Sequence, residues 1–318
     1  YTPPKVIKND FFEAVGSNDE WIFKNLGIKE RRIVEGEVTS DLASKAALIA
    51  LEDAGITAEE VNLIIVATST PDRQAPSTAC FVQEKINAPH AVAFDISAVC
   101  SGGIYGLAIG SQFIQTGMYK NVLVIGADVF SSITDWSRKD SVFFGDGAGA
   151  AVLSREEDLT KGILSTHLHS EGQHAEELSL IAPGMGGRWV NDILADNDPN
   201  DESYFPYMNG QFVFKNAVVR FAEVINEGLQ ANNLEVSDID MLIPHQANLR
   251  ISQFIQNKFK LNDDQVFNNI QKYGNTTAAS IPIALTEAWE QGKIKSGDTV
   301  VLAAFGSGFT WASAIIKW

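Results

Sequence analysis

Phe94-Asp95-Ile96-Ser97-Ala98-Val99-Cys100-Ser101-Gly102-Gly103 closes an apolar strand and opens into an Ala/Gly/Ile/Leu pattern of helical period over 104–116. A strand that passes straight into a helix is the building unit of a sheet covered by helices. Other apolar, β-branched runs of strand length recur at 63–68, 91–94, 122–126, 241–243 and 300–304, alternating with longer helical patterns. Runs without polar alternation predict strands buried on both faces, and so an α/β fold.

The second half of the chain echoes the first. Helix, Gly or Asn turn, acidic spacer and buried strand occur in that order over 43–64 and again over 222–242. Farther on, 142–153 with its Phe144-Gly145-Asp146-Gly147 is mirrored by 301–312 with Phe305-Gly306-Ser307-Gly308. Two matched pairs in one order indicate an internal duplication. The expectation is two similar lobes, 1–165 and 166–318, related by a pseudo-twofold axis. Residues 170–209, with Gly184, Gly186, Gly187 and the acidic run 196–202, read as a long connecting excursion.

Composition narrows the possible functions. The chain has 318 residues, 45% hydrophobic and 20% charged, enough for a large core. A net charge of −16 argues against nucleic acid or an anionic membrane as principal partner, because the summed field repels phosphate. No run of about 18 apolar residues is present, and the start resembles no signal peptide. A cytoplasmic location is expected. Cys80 and Cys100 are too few for a disulfide framework and have no metal-ligand spacing.

Three polar residues in turns stand out. Cys100 at the start of a helical pattern would feel the positive end of the backbone dipole, which favours thiolate. A buried cysteine is more often a small hydrophobe, and Cys80, inside the helical pattern 76–86, is read that way. His245 follows a buried strand in Pro244-His245-Gln246-Ala247-Asn248, and reads equally as a satisfied core histidine. Asn275, after Gly274 in Tyr273-Gly274-Asn275-Thr276-Thr277-Ala278-Ala279-Ser280, reads first as a left-handed turn residue. If the duplication brings both sets of strand ends together, all three meet at one seam.

Taken in order, 17–22, 27–31, the Cys100 segment, 144–152, 244–250, 273–276 and 305–311 resemble the landmarks of the 3-oxoacyl-[acyl-carrier-protein] synthase III family of thiolase-fold condensing enzymes. The resemblance runs along essentially the whole chain. It implies a five-layered αβαβα fold, a homodimer and a Cys100–His245–Asn275 triad, with a pantetheine tunnel leading to the thiol. It implies oxyanion donors at the backbone N–H groups of Cys100 and Ser307, coenzyme A contacts at Trp21, Arg138 and Asn248, and a carrier-protein patch at Lys215, Arg250 and Lys258. Ala75 and Phe305 fall at acyl-pocket positions.

The implied reaction is a decarboxylative Claisen condensation of an acyl-coenzyme A primer with malonyl-acyl-carrier protein, initiating fatty acid biosynthesis. No cofactor or metal is implied, since coenzyme A enters as substrate. Asn25, Ala75, Gly103 and Ile104 depart from common family residues, and the small Ala75 leaves room for a longer or branched primer. A specialised ketosynthase or acyltransferase of a secondary-metabolite pathway is therefore the alternative. Two weaker readings are set aside: His167 and His169 as a metal pair, for which no third ligand is evident, and the 145–149 glycines as a phosphate loop, which lacks the Lys-Ser/Thr. Those glycines read instead as close backbone packing.

Overall fold

The computed structural model describes residues 1–180 and 205–318. Gly184, Gly186, Gly187 and the acidic run 196–202 lie outside the described residues.

The first lobe is a four-stranded sheet in the order β4 (Val92–Ile96), β3 (Leu63–Ala67), β5 (Asn121–Asp128), β6 (Gly147–Ser154). β3 runs parallel to β4 and β5, and β6 is antiparallel to β5. The second lobe is a four-stranded sheet in the order β10 (Met241–Pro244), β11 (Thr299–Gly306), β12 (Thr310–Lys317), β7 (Gly162–Ser170), in which β10, β11 and β12 pair as β3, β5 and β6 do, while the fourth strand joins beyond β12 instead of at the opposite edge. Here β10 is parallel to β11, and the remaining pairs are antiparallel. β7 pairs with β12, so the chain changes sheet in the 155–161 loop, ahead of the 165/166 division expected from sequence.

The five runs read as strands fall in β3, β4, β5, β10 and β11, whose interiors are largely apolar because helices cover the sheets. α2 (Thr39–Ala54) and α3 (Thr78–Lys85) pack on the outer face of the first sheet. α4 (Gly102–Gln115) is buried between the two sheets, and α5 (Gly210–Ala231) and α6 (Leu249–Phe259) cover the outer face of the second. α7 (Ile270–Tyr273) leads to α8 (Ser280–Glu290), which lies beside α4 in the central layer. This is the αβαβα stack. A ribbon of β1 (Lys5–Lys8) and β2 (Glu30–Ile33), with α1 (Asp19–Leu26) between them, packs at one end.

Glycines of the first lobe form the bed on which the second lobe's 273–283 segment lies. A Cβ at Gly126 would sit 2.3 Å from the Ala278 carbonyl oxygen, one at Gly145 2.2 Å from that of Tyr273, and one at Gly149 2.7 Å from Pro282 Cβ. Side chains are excluded by backbone approach, as the close-packing reading of 145–149 anticipated. The 170–209 excursion begins with a short ribbon in which β8 (Leu178–Ser179) pairs with β9 (Tyr207–Met208).

Candidate active site

Cys100 lies in a 3-10 turn, Val99–Ser101, immediately before α4 rather than inside its first turn. Val99 has φ +45°, a left-handed conformation that a β-branched residue adopts only under strain of about 1–3 kcal/mol. The surrounding structure holds it there. Ser101 Oγ donates to the Thr310 carbonyl at 3.1 Å, and Thr310 Oγ1 donates to the Ala98 carbonyl at 3.3 Å. The end of β11 closes over the sulfur, and a Cβ at Gly306 would lie 2.6 Å from Cys100 Cβ and 3.2 Å from Sγ.

The thiol is buried, and burial raises its pKa from 9.0 to about 12, reinforced by the field of Asp128 and opposed by the Cys100 and Ser307 backbone N–H groups. Dipole-assisted ionisation near neutral pH, expected from sequence, is therefore corrected: desolvation outweighs the helix dipole. The resting group is a thiol. Alkylation by iodoacetamide, which follows the thiolate fraction, is expected to keep rising through pH 10 without a plateau. A plateau below pH 8 would show an ionised sulfur at rest.

His245 ends β10, where its N–H donates to the Ala303 carbonyl at 2.8 Å. Its Nδ1 is 2.6 Å from Ser280 Oγ at the start of α8, and its buried Nε2 has no partner among the described residues. The Gln246 N–H donates to the same hydroxyl at 3.4 Å, so the Ser280 proton is available to Nδ1. When that proton is donated to Nδ1, the ring carries its own proton on Nε2, facing outward. Burial lowers the ring's pKa from 6.5 to about 3, so it stays neutral at physiological pH.

Asn275 follows Gly274, whose φ is +64°, and its own N–H donates to the Phe143 carbonyl at 2.9 Å. The Thr277 N–H donates to Asn275 Oδ1 at 2.8 Å, which fixes the flip of the amide and leaves Nδ2 as the end available to donate. The turn at Thr277–Ala279 packs against the Cys100 turn, with the Gly102 Cβ direction 3.3 Å from Ala278 Cβ. One stretch, 275–280, thus carries Asn275, anchors His245 through Ser280 and abuts the Cys100 turn.

A cleft of about 40 Å³ is lined by Arg138, Phe143, Phe144, Leu178 and Met208 among others. Two of its lining residues touch the site: Phe144 bridges to Asn275, and the Leu178 carbonyl accepts from Ser307 Oγ. Trp21 is partly exposed on α1, and Lys139 lies 5.4 Å over its ring. α1 leans on α6, where a Cβ at Gly27 would meet Leu249 at 2.4 Å; Asn248 caps that helix through the Arg250 N–H at 2.9 Å. Lys139, absent from the sequence reading, had its signal in the Arg-Lys pair at 138–139. Lys215, Arg250 and Lys258 are exposed on α5 and α6, with the exposed Phe254 between the latter two.

The acyl-pocket residues fall elsewhere within one chain. Strand alternation sends Phe305 to the face opposite Gly306, where it packs 4.8 Å from Phe309 in the core beneath α5 and α6. Ala75 is exposed in the loop between β3 and α3. His167 and His169 share a face of β7, as read, but both meet Glu227 of α5, at 3.4 and 2.6 Å. No group able to hold a metal ion occurs among the described residues, and no helix there is long and apolar enough to cross a membrane.

Two family profiles match the chain: 3-oxoacyl-[acyl-carrier-protein] synthase III over 94–172, and its C-terminal counterpart over 229–318. The chain is 49% identical to a beta-ketoacyl-[acyl-carrier-protein] synthase III of Clostridioides difficile, covering 100% of this chain and 96% of that one. Among solved structures it is similar to the 3-oxoacyl-[acyl-carrier-protein] synthase III of Aquifex aeolicus, with TM-score 0.91, 43% identity and coverage of 100% and 97%. The priming beta-ketosynthase of the R1128 polyketide pathway is similar at TM-score 0.89 and 28% identity, covering 99% and 93%.

Proposed function

The chain belongs to the 3-oxoacyl-[acyl-carrier-protein] synthase III family, and from that footing we propose that it condenses an acyl-coenzyme A primer with malonyl-acyl-carrier protein, initiating fatty acid biosynthesis. One observation carries the residue assignment: the 275–280 stretch presents an amide donor, anchors a neutral imidazole and abuts the buried thiol.

In the first half-reaction Cys100 sulfur attacks the primer carbonyl. The Cys100 and Ser307 N–H groups, which already face the sulfur, receive the tetrahedral oxyanion. Collapse breaks the bond to coenzyme A, and the thiol proton ends on the departing sulfur. In the second half-reaction malonyl-carrier protein loses carbon dioxide. The electron pair moves onto the thioester as an enolate, whose oxygen is met by His245 Nε2–H and Asn275 Nδ2–H. Both donors are neutral, so neither forms an ion pair with the substrate carboxylate that would hold it back. The carbanion attacks acyl-Cys100, the bond to sulfur breaks, and the released thiolate takes up a proton. No cofactor is needed.

Trp21, Arg138 and Asn248 are assigned to coenzyme A, and Arg138 lines the cleft. Lys215, Arg250 and Lys258 are assigned to the acidic carrier protein, which a chain of charge −16 can attract only through a local basic patch. A homodimer is supported by β4, an edge strand hydrogen-bonded on one side within the chain; sedimentation tests it. A cytoplasmic location fits two unpaired cysteines, one of them required as a thiol, and fractionation tests it. Ala75 and Phe305 keep an acyl-pocket role only if a second copy completes that pocket. Acylation rates across primers of differing length test it.

The fatty acid reading is preferred over a secondary-metabolite one because the family relatives at higher identity carry the synthase III name. Incubation with acyl-coenzyme A is expected to give one acyl adduct at Cys100 by intact mass, and added malonyl-carrier protein to release carbon dioxide. Arg250→Glu should raise KM for the carrier protein without slowing acylation of Cys100 by acyl-coenzyme A. An adduct without carbon dioxide would indicate plain acyl transfer, and no adduct at all a silent subunit.

A further inference from the structure

We propose that Asp128 is a positioning residue of the decarboxylation half-reaction, holding the Thr277–Ala278 turn so that Thr277 orients the amide of Asn275. The inference rests on the preceding assignment of Asn275 to the enolate oxygen.

Asp128 ends β5 in the first lobe and is fully buried. Its Oδ1 accepts from Ser69 N–H at 2.7 Å, Thr70 N–H at 3.1 Å, Thr70 Oγ1 at 3.0 Å and Thr68 Oγ1 at 3.2 Å, all in the first lobe. Its Oδ2 reaches across the seam and accepts from Thr277 Oγ1 and, at 3.2 Å, from Ala278 N–H. Thr277 therefore has two engagements: its hydroxyl is held by Asp128, and its N–H holds Asn275 Oδ1. It also has φ +49°, a left-handed conformation disfavoured for a β-branched residue unless its surroundings impose it.

The hydrogen-bond partners of the carboxylate are hydroxyls and backbone N–H groups, with no cation among them. Burial pushes its pKa up against those donors. A buried anion without a counter-ion is a poor choice for stability alone, because desolvation opposes it. A carboxylate offers acceptors in both directions, which this junction needs. An amide would turn N–H toward donors on one side.

The half-reactions separate positioning from simple bracing. Asn275 enters only the second, whereas the Cys100 and Ser307 N–H groups serve the first. Asp128→Asn is expected to slow carbon dioxide release about 10- to 100-fold, through a misplaced donor, while acylation of Cys100 changes less than about threefold. Thr277→Val, which keeps the branched shape and the N–H but removes the hydroxyl, should reproduce the split and stands in if Asp128→Asn does not fold. Among the described residues, Cys100 and Asp146 sense the Asp128 charge. The iodoacetamide profile of Asp128→Asn should accordingly move to lower pH, which lost bracing alone would not produce.

Equal loss of both half-reactions, or no loss in either, would overturn the proposal. Wild-type protein that releases no carbon dioxide would instead overturn the functional reading on which it rests.

Discussion

A Cys100→Ala chain is expected to form no acyl adduct and to lose condensation by on the order of 10⁴-fold or more, the scale seen when a nucleophile is deleted, yet to go on releasing carbon dioxide from malonyl-carrier protein. The split follows from how the site is held. Asn275 takes its orientation from Thr277, and His245 from Ser280, with no bond to the sulfur in either case. Alanine removes only Sγ and leaves both donors in place. Mass spectrometry reads the adduct, and a coupled carbon dioxide assay reads decarboxylation. If decarboxylation disappeared with the adduct, the sulfur would be part of the enolate-stabilising apparatus and the division of labour would be wrong.

Gly306→Ala is expected to cost acyl transfer about 10²- to 10³-fold, comparable to removal of an oxyanion donor. The added methyl would lie 2.6 Å from Cys100 Cβ and 3.1 Å from its N. Contacts that short are not accommodated by relaxation of a flexible tip, because the opposing atoms belong to the nucleophile's own backbone and Cβ. Either the Cys100 turn or the end of β11 must move, and Ser307 N–H moves with β11. Single-turnover acylation, followed by intact mass, checks this. A rate within twofold of wild type would mean that the oxyanion is stabilised elsewhere.

Much of the architecture was legible because helices cover the sheets, which left the five strand runs almost free of polar residues. The echo between halves was legible for the same reason: β3 and β10 are preceded by helices of like pattern, and the Phe-Gly-x-Gly turns precede β6 and β12. Cys100, His245 and Asn275 stood out as candidates because each sits in a short polar turn beside an apolar element. The ionisation of Cys100 was not legible, since its burial comes from β11, some two hundred positions away. Phe305 was misplaced because its neighbour Gly306, not Phe305, has the strand face toward the sulfur. Asp128 gave no local signal: its partners come from 68–70 and 277–278, and at the end of a buried strand it looks like any polar terminus. The division at 165/166 fell inside β7, because apolar runs mark strands without saying which sheet they join.

The glycine bed on β5 and β6 shows how far the two halves have parted company. Three strands of each sheet still pair alike, but one half has given up side chains where the other lays down its backbone, so the repeats have become mould and cast and neither could replace the other. A side chain at Gly126 or Gly145 would press on the backbone flanking Asn275, and one at Gly149 on the first turn of α8.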